Sequence, residues 1–290
     1  MSVVLFPGQG SQYPGMAKDL WEQSEEMKTW FRKADELVGF DLSQVMFNGT
    51  EEDLKKTSVT QPAVFLNALL RFKQNEASIT MEAVAGHSLG EFTALVANEC
   101  LSFEDGLKLV SLRAKAMQEA CDLVKGTMAA ILGLEDKQVE DICTNQPGIV
   151  VAANYNCPGQ LVISGELEAI EQAVIKAQEA GARRALILNV DGAFHSPLMD
   201  HAKAKLTEAI NLVSFNTPKC PIYQNVTAKA ESDPLVIKSN LVSQLTSPVR
   251  WTQSMKQMIA DNHNSFIESG AKVLSGFLRR VDRSLEITQL

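Results

Sequence analysis

The chain has 290 residues, 45% of them hydrophobic and 21% charged, the make-up of a globular protein long enough for one large core or two unequal ones. Its 27 basic and 35 acidic residues leave a net charge of −8, which argues against a nucleic-acid binder, whose footprint would be basic. No apolar run is long enough to span a membrane, and MSVVLFPGQG at the start lacks the basic n-region of a secretory signal. Five scattered cysteines without a C-x-x-C pair fit reduced thiols in a cytoplasmic protein, and His and Cys show no metal-ligand spacing, so no zinc site is expected.

Ser2–Phe6 reads as a buried strand, broken by Pro7-Gly8-Gln9-Gly10. Met16–Leu37 is helix-like, and Gln61–Lys73 reads as a second helix with Pro62 at its start. Ala83–Ala85 is a short strand, followed by the turn GHSLG and a helix from about Glu91 to Asn98. Phe103–Cys121 is a longer amphipathic helix. Thr127–Leu132 then reads as strand, Asp136–Cys143 as helix, Ile149–Ala153 and Gln160–Ser164 as strands, Leu167–Ala180 as helix and Arg184–Asn189 as strand. This β-α-β-β-α-β order is the ferredoxin-like pattern, here inserted into a larger α/β unit. The expected boundaries are 125–192 for the insert and 1–124 with 193–290 for the core. The chain returns with a helix from Pro197 to about Leu212, a strand at Pro221–Gln224, and further helix.

A strand, the pattern G-x-S-x-G and a helix together form the setting of a nucleophile elbow, with Ser88 held out above the sheet edge. The plainer alternative is a tight turn with Ser88 as a helix cap. A serine nucleophile needs a base. Of the four histidines, His87 adjoins Ser88 and reads as structural, His263 in DNHN as an exposed loop residue, and His201 as a surface position on its helix. His195 remains, in GAFHSPLM, held before a Ser cap and a Pro at the first helical position. Asp191 is the only acid shortly before it and is close in sequence for orienting the ring. A backbone carbonyl could serve instead, so a Ser-His dyad is expected. One oxyanion donor should be the N–H of Leu89, just after the serine, and a second could come from Gly8-Gln9-Gly10.

Arg113 stands out. At 100° per residue along Phe103–Cys121, it falls at the centre of the stripe formed by Leu109, Val110, Ala116, Met117 and Ala120. A guanidinium there needs a partner. That partner is either an internal Asp or Glu, or a carboxylate brought by the substrate and gripped in bidentate fashion.

With these residues placed, the sequence resembles the malonyl-CoA:acyl carrier protein transacylases of fatty acid synthesis. The motifs, in order, are FPGQGSQ (6–12), GHSLGE (86–91), LVSLRAKAMQ (109–118), NYNCPGQLVISG (154–165), GAFHSPLM (192–199) and QLTSPVRW (244–251), and they run through nearly the whole chain. The resemblance implies an α/β-hydrolase-like core carrying a ferredoxin-like subdomain. It implies that Ser88 carries malonyl as an ester, that His195 is the base, and that the N–H groups of Gln9 and Leu89 form the oxyanion hole. It further implies that Arg113 binds the malonyl carboxylate with Met117 and Phe194 in the same substrate site, Phe194 narrowing it against a 2-methyl group. The backbone carbonyl of Gln244 would orient His195. The chain departs from the family in FIESGAKVL (266–274), where Ser269-Gly270-Ala271-Lys272 replaces a V-G-P-G-K-type turn.

The activity implied is ping-pong transfer of malonyl from malonyl-CoA to the phosphopantetheine thiol of acyl carrier protein, with no metal or redox cofactor. The expected partners are malonyl-CoA and an acyl carrier protein, with neither nucleic acid nor membrane, and the expected state is a monomer. The rivals are an acyl-thioester hydrolase, a discrete acyltransferase serving a polyketide synthase, and a catalytically silent scaffold that docks carrier proteins.

Overall fold

In the computed structural model, which describes residues 1–190 and 192–290, the ten strands divide between two sheets. Asp191, weighed above as an orienter of His195, lies outside the described residues. The strands in chain order are β1 (Ser2–Phe6), β2 (Met81–Gly86), β3 (Gly126–Leu132), β4 (Val150–Cys157), β5 (Gln160–Glu166), β6 (Arg184–Ile187), β7 (Ile222–Tyr223), β8 (Ala230–Glu231), β9 (Ser265–Glu268) and β10 (Glu286–Gln289).

The larger sheet has the order β10-β9-β1-β2-β7-β8 and is parallel except for the last pair. Its centre reads as an uninterrupted apolar run because helices cover both faces. Along β1, Val4 and Phe6 point into the main core, while Val3 and Leu5 join a second cluster with Tyr223, Trp251 and Phe266 on the opposite face. The smaller sheet, β4-β5-β3-β6, is antiparallel throughout. The Asp136–Thr144 and Leu167–Glu179 helices close its own core of Ile131, Val139, Leu161, Ile163 and Ile170. Fold class is thus mixed α/β, one sheet built on parallel pairs and the other antiparallel.

The two sheets are joined through the segment before the Trp251–Ala260 helix. Tyr155 N–H donates to the Val249 carbonyl (2.9 Å), Val249 N–H donates to that of Ala153 (2.8 Å), and Thr252 Oγ1 donates to that of Tyr155 (3.0 Å).

Several elements differ from the sequence reading. The expected Met16–Leu37 helix is two helices, Lys18–Gln23 and Glu25–Val38, because Ser24 is extended and its hydroxyl caps the second by accepting from Met27 N–H. The helix expected from Gln61 begins at Thr57 and runs to Asn75. Its N-cap, Lys56, offers no capping side chain, so the sequence carries no start signal, and Pro62 falls inside the helix instead of at its first position. The expected Pro197–Leu212 helix is a 3₁₀ turn, Pro197–Met199, leading into an α-helix over Asp200–Leu212. Strands β9 and β10 stand where only further helix was read. The Ser269–Lys272 turn is anchored firmly. The Glu268 carboxylate accepts from the N–H groups of Val273, Leu274 and Ser275, and Ser269 Oγ donates to the Ala68 carbonyl.

Candidate active site

Two loops meet beyond the carboxyl ends of β1 and β2, where open parallel sheets bind ligands. After Gly86 the chain reverses through His87 and Ser88 into the Leu89–Ala97 helix. Ser88 has φ 52° and ψ −106°, outside the regions that residues with a side chain populate freely. Glycines permit this reversal. A Cβ on Gly86 would lie 1.9 Å from the Gly90 carbonyl, and one on Gly90 would lie 2.0 Å from the Phe6 carbonyl oxygen. A Cβ on Gly8 would lie 2.4 Å from the His87 carbonyl oxygen, so the Pro7–Gly10 loop rests directly on the elbow. The N–H groups of Gln9 and Leu89 have no internal acceptor among the described residues, and Leu89 is the first residue of its helix. Leu89 adjoins the serine in the chain, and Gln9 follows the glycine that rests on His87, so both are unengaged donors on the two segments that form the elbow.

His195 is buried and sits at φ 59°, just before the Ser196 cap. Its Nε2 is 2.7 Å from Ser88 Oγ, and its Nδ1 lies 3.1 Å from the Gln244 carbonyl and 3.2 Å from the Ser247 carbonyl. Carbonyls only accept, so Nδ1 carries the proton and Nε2 turns its lone pair to the serine hydroxyl. Burial, reinforced by the charge of Arg113, holds its pKa down to about 3. The imidazole is therefore neutral and able to take a proton at physiological pH.

Arg113 is 1% exposed. Its Nη1 donates to Gln61 Oε1 (2.7 Å), and its Nη2 to Ser88 Oγ (2.9 Å) and, at 3.5 Å, to Gln244 Oε1. The Phe92 ring lies 5.7 Å from the guanidinium, and Nε has no hydrogen-bond partner among the described residues. Burial lowers the pKa to about 10, which leaves the group charged, with buried Glu91 supporting the charge at longer range. Of the two partners left open by the sequence, the internal acid is not in contact: Arg113 makes no ion pair among the described residues and is held by neutral amides and a hydroxyl.

Met117 and Phe194 are both buried. Met117 Sδ accepts from Gln61 Nε2 at 3.2 Å. Phe194 lines a cavity of ≈ 460 Å³ with Gln9, Gly10, Lys55 and Lys56. The structure thus brings together Ser88, Leu89, Arg113, His195 and Gln244, with Met117 reaching Arg113 through Gln61, and places Gln9 on the loop against His87 and in the cavity lined by Phe194. His87 does not join them. It bonds Asn156 Oδ1 (2.9 Å), packs edge-on against Trp251, and is pushed by burial to about 4. His201 is exposed as expected. His263 is not the exposed loop residue expected: it is half-buried, pairs with Glu82 (3.0 Å) and packs edge-on against Tyr223.

Sequence reasoning missed the amides that hold the charged groups. Gln61 cradles Arg113, the Gln244 side chain donates to the Ser88 carbonyl (2.9 Å), and Asn225 Oδ1 accepts from Ser88 N–H (2.6 Å). Glu91, fully buried, was also missed, although an acid within the apolar run LGEFTALVA is the kind of signal that singled out Arg113.

Residues 3–274 match the family model described as acyl transferase domain. The chain is 43% identical over 287 residues to the malonyl CoA-acyl carrier protein transacylase of Bacillus subtilis, covering 97% of this chain and 90% of that one. It is 39% identical over 295 residues to the protein of the same name from Staphylococcus aureus, covering 100% and 95%. Among solved structures, an acyl carrier protein S-malonyltransferase from Vibrio cholerae superimposes with a TM-score of 0.94 at 40% identity, over 99% of this chain and 96% of that one. A malonyl-transacylase in complex with a type II PKS acyl-carrier protein gives 0.95 at 36% identity, over 99% and 95%.

Proposed function

The chain belongs to the malonyl CoA-acyl carrier protein transacylases of the acyl transferase family, and from that premise we propose that it moves malonyl from malonyl-CoA to an acyl carrier protein through an ester on Ser88. The observation that carries the reading is the convergence on one serine oxygen of a neutral imidazole at 2.7 Å and, at 2.9 Å, a guanidinium that touches no acid among the described residues.

Ser88 Oγ attacks the thioester carbonyl carbon as His195 Nε2 takes the hydroxyl proton. The oxyanion accepts from the N–H groups of Gln9 and Leu89, and the C–S bond breaks as His195 returns its proton to the CoA sulfur. The phosphopantetheine thiol, carried by the partner, then repeats the sequence in reverse on the seryl ester. Arg113 swings from the serine to the malonyl carboxylate in a bidentate pair, and Gln61 keeps the guanidinium plane in place. Phe194 and Met117 shape the acyl site, Phe194 restricting a 2-methyl group. The Gln244 carbonyl keeps the His195 tautomer fixed. Both half-reactions are acyl exchanges through one oxyanion, and the cycle as proposed uses no metal or redox cofactor.

The proposed setting is a cytoplasmic protein of fatty acid synthesis. In support, no helix among the described residues is long and apolar enough to cross a membrane, and no disulfide is formed there. The neighbour complexed with a polyketide carrier keeps a second reading open to test, a polyketide carrier as acceptor. The finer fold reading is also proposed: an α/β-hydrolase-like core, 1–124 and 193–290, carrying a ferredoxin-like unit at 125–192. The β4-β5-β3-β6 order with both helices on one face supports it.

Incubation with labelled malonyl-CoA followed by intact-protein mass measurement tests the activity. A stable malonyl adduct that discharges to carrier protein is expected. Rapid discharge to water would make the protein a hydrolase, and no adduct would make it a scaffold.

A further inference from the structure

The Gln224-Asn225 dipeptide beyond β7 and the buried carboxylate of Glu91 form a brace behind the nucleophile turn. Asn225 is fully buried, and its side chain spans the turn. Its Oδ1 accepts from Ser88 N–H at 2.6 Å, and its Nδ2 donates to the Gly86 carbonyl at 2.7 Å. Asn225 is in turn held by Glu91, whose Oε2 accepts from the Asn225 backbone N–H at 2.8 Å. Glu91 Oε1 accepts from Gln224 Nε2 at 3.1 Å. Glu91 lies on the first turn of the helix that Ser88 opens, so the brace closes on the element it supports.

We propose that Asn225 and Glu91 are positioning residues of the acyl transfer, and that their work is to decide which backbone N–H groups face the reacting carbonyl. Two adjacent N–H groups follow Gly86 and His87 into the helix, those of Ser88 and Leu89. Asn225 engages the first and leaves the second open, which aims one donor and fixes the strained Ser88 backbone with the same amide. An asparagine suits this task because it offers an acceptor and a donor on one planar group, matching the N–H and C=O on either side of the turn. Glu91 behind it accepts from the main chain with one oxygen and from the neighbouring Gln224 side chain with the other, so the dipeptide is held at two points.

This inference rests on the reading that Ser88 is the nucleophile, but its test need not depend on the acyl donor. Wild type, Asn225→Ala, Glu91→Gln and, as a control, Asn98→Ala are reacted with a fluorophosphonate, a generic serine reagent whose phosphoryl oxygen occupies an oxyanion hole. The same proteins are reacted with malonyl-CoA, and rate and final extent of labelling at Ser88 are read by mass spectrometry. Asn98 is a fully buried amide that holds a turn between Cys100 and Cys220, away from the elbow.

For Asn225→Ala the expected result is full final labelling at a rate lower by roughly ten- to a hundredfold, the usual effect of misplaced reacting groups. Glu91→Gln, which keeps volume and one acceptor oxygen, should slow labelling by a smaller factor of roughly five, as the other acceptor becomes an NH2 facing an N–H donor. Asn98→Ala should lower the melting temperature and leave the labelling rate unchanged. Wild-type rates in Asn225→Ala, or a reduced labelled fraction reacting at the wild-type rate, would overturn the inference, since the second pattern is that of a merely destabilised protein. Should Asn225→Ala fail to fold, Glu91→Gln decides alone by the same criterion. Fluorophosphonate labelling without any malonyl adduct in wild type would count against the proposed function while leaving the brace testable.

Discussion

At the scale of single residues, one oxygen receives three influences. Ser88 Oγ lies within hydrogen-bond distance of His195 and accepts from Arg113, while its backbone is clamped at both ends. Ser88→Ala should form no adduct with malonyl-CoA and should melt within about a degree or two of wild type, as a half-buried hydroxyl contributes little packing. Intact mass and a thermal melt check both. Arg113→Ala should cut malonyl transfer by about ten- to a hundredfold, the worth of roughly 1.5–3 kcal/mol in charge-assisted bonds. It should spare or improve acetyl transfer, because a neutral acyl group brings no charge for the guanidinium to grip and Arg113 makes no direct ion pair among the described residues that its removal would break. Equal loss with both donors would rule out the carboxylate grip. The pH profile follows from His195, whose pKa of about 3 keeps it neutral well below the range of a free imidazole. The base form is the active form, so activity would be lost only as pH falls toward that value. Between pH 7 and 5, kcat/KM for acylation should stay flat. An imidazole titrating at its ordinary 6.5 would leave only about 3% in the neutral form at pH 5. A steep acid limb near pH 6.5 would mean that the ring is better solvated in the working enzyme than in this structure. Malonyl binding places a negative charge beside Arg113, so the limb seen in kcat should lie above that in kcat/KM.

At the scale of elements, the elbow is a backbone-to-backbone packing problem. Gly90 faces the Phe6 carbonyl so closely that a methyl group cannot be added without moving β1 away from the helix. Gly90→Ala should destabilise by about 1–3 kcal/mol, lowering the melting temperature by several degrees. It should also slow Ser88 acylation, because the Pro7–Gly10 loop and the elbow would separate. Melting and adduct kinetics on the same sample check the pair of effects. The sequence disclosed this site through its punctuation: G-x-S-x-G after an apolar strand, a histidine before Ser-Pro, and an arginine on an apolar stripe. Each is a local exception to an otherwise regular pattern, and local exceptions can be read without coordinates. The helix starting at Thr57 was harder to read, because its N-cap is Lys56 and the visible proline lies within it. β9 and β10 are four residues each, too short for a period to declare itself. Asn225, Gln224 and Gln61 were illegible for another reason. A neutral amide violates no pattern on a helix or in a loop, and what marks these three is the distant group each one meets.

At the scale of the whole molecule, the two sheets share more than a border. Trp251 is fully buried in the cluster that holds Val3, Tyr223 and Phe266 from the larger sheet and Cys157 from β4, and its ring meets His87 edge-on. Trp251→Ala should cost about 3–5 kcal/mol, readable as a large drop in denaturation midpoint, and should slow acylation because His87 sits beside Ser88. Wild-type acylation in a folded Trp251→Ala protein would show that the cluster supports stability alone. The stretch just before Trp251 has a double attachment. The Gln244 and Ser247 carbonyls orient His195, and a few residues later Val249 and Thr252 are bonded to β4. The smaller sheet is therefore not an interchangeable module. A chimera that borrows it from a relative would need to borrow residues 244–252 as well. Otherwise the histidine would lose its bearing while every side chain around the serine was still native.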